Sequence, residues 1–174
     1  DGFEKGTVFL PQLLMSAEAA KSAFSVLKEK MEKSGEIREK KGRVILATVK
    51  GDIHDIGKNI VKVILENYGY NVIDLGRDVD PMKVVEAVTA CEKQVPLVGL
   101  SALMTTTVVS MEETIKMLRE KKPDCKVMVG GAVLNQEYAD MIGADFYGKD
   151  AMQSVHYAEK IFKDALQKSA DKKE

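Results

Sequence analysis

From Val44 onward the chain alternates short apolar runs with longer amphipathic stretches, and that alternation leaves few architectures open. The runs are Val44–Val49 (VILATV), Asn71–Leu75, Leu97–Leu100, Lys126–Val129 and Asp145–Tyr147. Most are nearly continuous in Val, Ile and Leu, as expected of strands buried on both faces of a parallel sheet. Helices with readable starts lie between them. Asp80 before Pro81 is a capping residue followed by a first-turn proline, and Ser110-x-x-Glu113 reads as a capping box. Asp150 with Gln153 repeats that signal before a last helix whose apolar side is Ala151, Val155, Ala158, Phe162 and Leu166. Five such βα units predict an α/β fold with a five-stranded parallel, doubly wound sheet, flavodoxin-like or Rossmann-like. In such sheets ligands bind beyond the carboxyl ends of the strands, so the residues after each strand are where chemistry is to be sought.

The segment ahead of these units has no strand-like run. Leu13, Ala17, Ala20, Phe24, Leu27 and Met31 recur at alternating steps of four and three, a helix with one apolar seam and Pro11 in its first turn. Such a helix needs a surface to pack on. Residues 34–42, with Glu36, Arg38, Glu39, Lys40 and Lys41, read as a solvated linker. The expected organisation is a helical segment over 1–33, the linker over 34–42 and the α/β domain over 43–174.

Composition narrows the function. The 174 residues carry 26 basic and 27 acidic side chains, a net charge of −1, without the basic excess that nucleic-acid binding requires. The longest apolar-looking run, Val95–Met104, contains Pro96, Gly99 and Ser101 and falls far short of the ~20 residues needed to cross a bilayer, so no membrane segment is expected. Cys91 and Cys125 form no C-x-x-C pair, which argues against a disulfide framework or structural zinc and fits a reducing, cytoplasmic setting. The chain opens on Asp1 with no signal-peptide pattern.

Three of the strand-to-helix loops carry chemistry. After the first strand, Asp52-Ile53-His54-Asp55-Ile56-Gly57 sets a carboxylate two residues from an imidazole. A carboxylate can accept one ring N–H, fix the tautomer and leave the other nitrogen for a metal, and Gly57 lets the backbone approach a ligand. A solvated surface histidine beside acids is the plain alternative. After the third strand, Ser101, Thr105, Thr106 and Thr107 make a polar lining of small side chains, or a loop stabilised by turn and cap hydrogen bonds. After the fourth, Gly130-Gly131-Ala132 leaves room for a bulky ligand, or is a turn.

Together, Asp52-x-His54-x-x-Gly57, Ser101-x-Leu103 and Gly130-Gly131 resemble the signature of cobalamin-binding domains. Val44–Val61 (VILATVKGDIHDIGKNIV) and Phe9–Ala17 (FLPQLLMSA) are similar to the corrinoid domain of methionine synthase and to the small corrinoid proteins of methyltransferase systems. The resemblance implies cobalamin as cofactor, cycling between methylcobalamin and a Co(I) corrinoid. The cofactor's own base is detached, its nucleotide tail threads into the sheet, and His54 is the lower cobalt ligand, oriented by Asp52. Thr107 stands where the family's relay hydroxyl falls, with Asp52 and His54 completing a catalytic trio. Asp55, Ile56, Ser101, Leu103 and Thr105 would contact the cofactor. Gly57, Gly130, Gly131 and Ala132 would admit it, with Tyr147 and the rest of Gly143–Tyr147 near the tail. Phe3, Leu10 and Leu13 would belong to a helical cap over the upper face, whose early helices lie upstream of Asp1.

The resemblance further implies a methyl carrier that takes a methyl group on Co(I) and passes it from methyl–Co(III) to an acceptor such as tetrahydrofolate or a thiol. No other residues here look able to activate a donor or acceptor. The implied partners are therefore a substrate-specific methyltransferase, an acceptor methyltransferase and a corrinoid-reactivating protein. Alternatives are the cobalamin domain of a methionine synthase and, in another class, a cobalamin-dependent sensor.

Overall fold

The computed structural model describes residues 41–91 and 97–171, together with scattered positions between 9 and 26, the side chains beyond 165 excepted. The chain divides into two compact units, Asp1–Glu39 and Lys40–Glu174. In the first, positions 11, 12, 15, 16, 18, 19, 22 and 26 are helical, while the expected seam residues lie outside the described residues.

The second unit is a parallel five-stranded sheet: β1 (Arg43–Thr48), β2 (Asn71–Asp74), β3 (Leu97–Ser101), β4 (Lys126–Gly130) and β5 (Phe146–Tyr147). The strand order β2-β1-β3-β4-β5 is the flavodoxin-like arrangement, whose topological switch point lies between β1 and β3. The helices are α1 (Ile56–Asn67), α2 (Pro81–Thr89), α3 (Val108–Lys121), α4 (Gln136–Met141) and α5 (Ala151–Asp171). Ile45, Ala47, Val98, Leu100, Val127 and Val129 face α2, α3 and α4 on one side of the sheet. Val44, Leu46, Leu97 and Met128 face α1 and α5 on the other, among Leu65, Val155, Ala158 and Phe162. Both faces are therefore buried, which is why the strands read as unbroken apolar runs.

Asp80 caps α2 as expected, its side chain accepting from the Met82 N–H at 3.0 Å. Asp150 Oδ1 accepts from Gln153 N–H at 2.8 Å, and Gln153 reaches back to the Lys149 N–H rather than to that of Asp150. The Ser110 capping box is not formed. A 3-10 turn, Thr105–Thr107, leads directly into α3 at Val108, so Ser110 lies within the helix. The Glu113 N–H that Ser110 would cap lies beyond the first four residues of that helix, where an intrahelical acceptor is available. Among the described residues no helix is long and apolar enough to cross a membrane.

Candidate functional site: a histidine over a sheet-edge cavity

The loop from β1 to α1 carries Asp52 and His54. Asp52 is wholly buried, and five donors converge on its carboxylate. Oδ1 accepts from the His54 backbone N–H at 2.9 Å and faces His54 Nδ1 at 2.8 Å. Oδ2 accepts from the N–H groups of Leu103 and Met104, at 2.6 and 3.3 Å, and from Thr107 Oγ1 at 3.1 Å. The Thr107 hydroxyl is also 2.8 Å from the Met104 carbonyl, so one proton serves two acceptors. Burial alone would raise the Asp52 pKa. The hydrogen bonds outweigh it and hold the carboxyl down at about 2. An ionised Oδ1 at this distance keeps the proton on Nδ1 and directs the lone pair to Nε2.

The His54 side chain is 47% exposed and borders a cavity of about 760 Å³ at the carboxyl edge of the sheet, beside the switch point of β1 and β3. The loop after β1 and the start of α1 supply His54, Asp55, Ile56 and Gly57 to its wall. The end of β3 and the loop after it supply Ser101 and Leu103; the end of β4 and its loop, Gly130, Gly131 and Ala132; β5 adds Tyr147. Asp52 and Thr107 stand behind the wall. Thr105 is exposed and lies outside the lining, and of Gly143–Tyr147 only Tyr147 borders the cavity. Asp145 is instead occupied by Arg119, Lys126 and the Val127 N–H, which ties β5 to β4. Phe3, Leu10 and Leu13 lie outside the described residues.

Parallel register explains the cavity's depth. Leu46, Gly99 and Met128 are aligned neighbours across β1, β3 and β4, on the face toward α1 and α5. All three border the cavity, and Gly99 presents no side chain there. A Cβ at Gly99 would stand 2.5 Å from Leu46 Cδ2 and 2.8 Å from Met128 Cε, so both neighbours lean over the glycine. Two residues further toward the carboxyl edge, Thr48, Ser101 and Gly130 align likewise, with Thr48 Oγ1 and Ser101 Oγ hydrogen-bonded at 2.9 Å.

The glycines divide by role. A Cβ at Gly57 would have nothing within 4 Å, so the space beside it belongs to the cavity. Gly131 has φ of 138°, and a Cβ there would lie 1.8 Å from the Ala102 carbonyl oxygen, so the close approach of β3 and β4 ends requires glycine. Sequence reasoning missed Gly99, Ser154 and Lys58, all on the cavity wall. Gly99 was detectable as a glycine inside an apolar strand. Lys58 is buried and bonded to Asp74 Oδ1 at 2.5 Å, with Lys62 on Oδ2 at 3.2 Å. Cys91 and Cys125 border a separate, smaller pocket, and burial pushes the Cys125 thiol up to about 12.

Comparison with known proteins adds the decisive observation. The family described as B12 binding domain matches residues 42–156. The chain belongs to the B12-binding domain family. Its cofactor is accordingly cobalamin, and its relatives include dimethylamine and trimethylamine corrinoid proteins. Trimethylamine corrinoid protein 2 of Methanosarcina acetivorans is 46% identical over 158 residues, covering 90% of this chain and 72% of the relative. Dimethylamine corrinoid protein 3 of Methanosarcina mazei is 41% identical over 161 residues, covering 91% and 95% respectively. Among solved structures, a chain of the methanol:cobalamin methyltransferase complex of Methanosarcina barkeri matches with a TM-score of 0.72 and 36% identity, over 92% of this chain and 60% of that one.

Proposed function

We propose that this chain is the methyl carrier of a cytoplasmic methyltransferase system, holding cobalamin with its own base detached and His54 as lower cobalt ligand. The observation that carries this reading is the Asp52–His54 pair, a buried carboxylate and a half-exposed imidazole joined at 2.8 Å on the cavity wall. The arrangement suits the cofactor. Nε2 is the ring nitrogen left for a metal, and the space beside Gly57 and over Gly99 offers a groove for a nucleotide tail.

When bound, the cobalt would supply the chemistry of methyl transfer between a donor and an acceptor such as tetrahydrofolate or a thiol. The protein's residues orient and hold. His54 Nε2 would hold the cobalt, while Asp52 keeps Nδ1 protonated and the ring oriented. Asp52 stays ionised at neutral pH, so Oδ1 remains an acceptor for the imidazole Nδ1–H. The Thr107 hydroxyl and the Leu103 and Met104 N–H groups hold that carboxylate throughout.

The similar dimethylamine and trimethylamine corrinoid proteins favour methylated amines as the donor class. The partners would then be an amine methyltransferase, an acceptor methyltransferase and a reactivating protein. Protein mixed with hydroxocobalamin should stay coloured through gel filtration, with a spectrum unlike the free cofactor. His54→Ala should keep part of the colour through the tail groove and lose the histidine-ligated spectrum. An unchanged spectrum would remove His54 from this role.

A further inference from the structure

The turn carrying Asp52 is gripped from a side that its own carboxylate does not reach. Lys50, Gly51 and Asp52 are each tied to the loop between β2 and α2. Lys50 Nζ meets Asp80 Oδ2 at 2.8 Å, the Gly51 N–H donates to Asp78 Oδ1 at 2.7 Å, and the Asp78 N–H donates to the Asp52 carbonyl at 3.0 Å. Asp78 thus holds two consecutive residues of the turn, one with its carboxylate and one with its amide. It does so at φ 53°, the one positive φ at a non-glycine among the described residues, and Gly51 opposite it has φ 83°. Residues with a Cβ are uncommon in that region, Asp and Asn less so than the rest, and such backbone clusters at functional sites. Asp78 is exposed, so core packing does not account for it, and α2 takes its cap from Asp80.

Sheet order gives the geometry its meaning. β1 lies between β2 and β3, so the turn after β1 is flanked by the loops of both neighbours. From the β3 side, Leu103, Met104 and Thr107 hold the Asp52 side chain. From the β2 side, Asp78 holds the Asp52 backbone. We propose that Asp78 is a positioning residue for His54: it completes this two-sided clamp, so that the Asp52 carboxylate presents the imidazole to the bound cobalt at one height. The proposal rests on the reading of His54 as lower ligand.

The test uses the full chain loaded with cob(II)alamin. Electron paramagnetic resonance of protein labelled with 15N-histidine reports the ratio of histidine-bound to histidine-free cobalt, because coupling to the 15N ligand differs from coupling to the 14N of the cofactor's own base. Asp78→Ala should retain cofactor through gel filtration while that ratio falls about fivefold, the net worth of roughly one hydrogen bond. Asp78→Asn keeps an acceptor oxygen and tolerates the left-handed backbone, and should restore the ratio to within about twofold. Asp78→Gly relieves the backbone without an acceptor and should resemble Ala. A ratio unchanged in Asp78→Ala, or equal in the Asn and Gly variants, overturns the proposal. The second comparison decides even if the Ala variant fails to fold. His54→Ala separates the two ideas: coupling that survives that substitution sinks His54 as ligand, whereas coupling lost there but intact in Asp78→Ala sinks Asp78 alone.

Discussion

Asp52 and His54 meet at 2.8 Å across a burial boundary, the carboxylate wholly enclosed and the imidazole side chain 47% exposed. An enclosed anion with every donor already oriented is a rigid support, and a half-exposed ring on that support can face a ligand without losing its orientation.

The first prediction concerns acid stability. The folded pKa of Asp52, about 2, lies below the ordinary 3.8, so its contribution is present above the unfolded value and lost as pH falls toward 2. Linkage puts that loss at about 1 kcal/mol by about pH 3 and about 2 kcal/mol by about pH 2. Asp52→Asn should lower stability at neutral pH, and urea unfolding should show the gap to wild type narrowing by those amounts on acidification. A gap independent of pH would show that Asp52 is not held down in the folded protein.

Thr107 supports the same carboxylate through a hydroxyl that Val lacks and Ser keeps. Thr107→Val should cost about 1 kcal/mol and raise the acid midpoint of unfolding, while Thr107→Ser recovers most of both. Equal behaviour of the two variants would mean that the methyl group, lost in Ser, matters as much as the hydroxyl, lost in Val.

Two glycines of the motif should separate cleanly. A Cβ at Gly57 meets open space, so Gly57→Ala should fold as well as wild type or gain up to about 1 kcal/mol. Its hydroxocobalamin affinity should nonetheless drop about tenfold or more, as the new methyl fills room taken from the cavity. Gly131→Ala drives a Cβ into the Ala102 carbonyl and should cost about 2 kcal/mol or more before any ligand is added. Thermal unfolding of apoprotein beside a cobalamin titration checks both. Loss of stability in the Gly57 variant, or none in the Gly131 variant, would reverse the assignment.

Local sequence carried the elements and the loops. Continuous apolar runs and the Asp80-Pro81 start report energies settled within a few residues, so the βα alternation and the Asp52–Gly57 loop could be read directly. The Ser110 box misled because the same local pattern recurs inside a helix that had already begun at Val108. What local pattern could not contain was register and the meeting of distant loops. Gly99 forms the cavity floor only because parallel pairing sets it between Leu46 and Met128. Thr107 and Asp52 are 55 residues apart, and Asp78 and Gly51 are 27 apart. Those contacts exist because the sheet brings β2 and β3 to either side of β1, and side chains far apart along the chain acquire a common geometry only once that packing is in place.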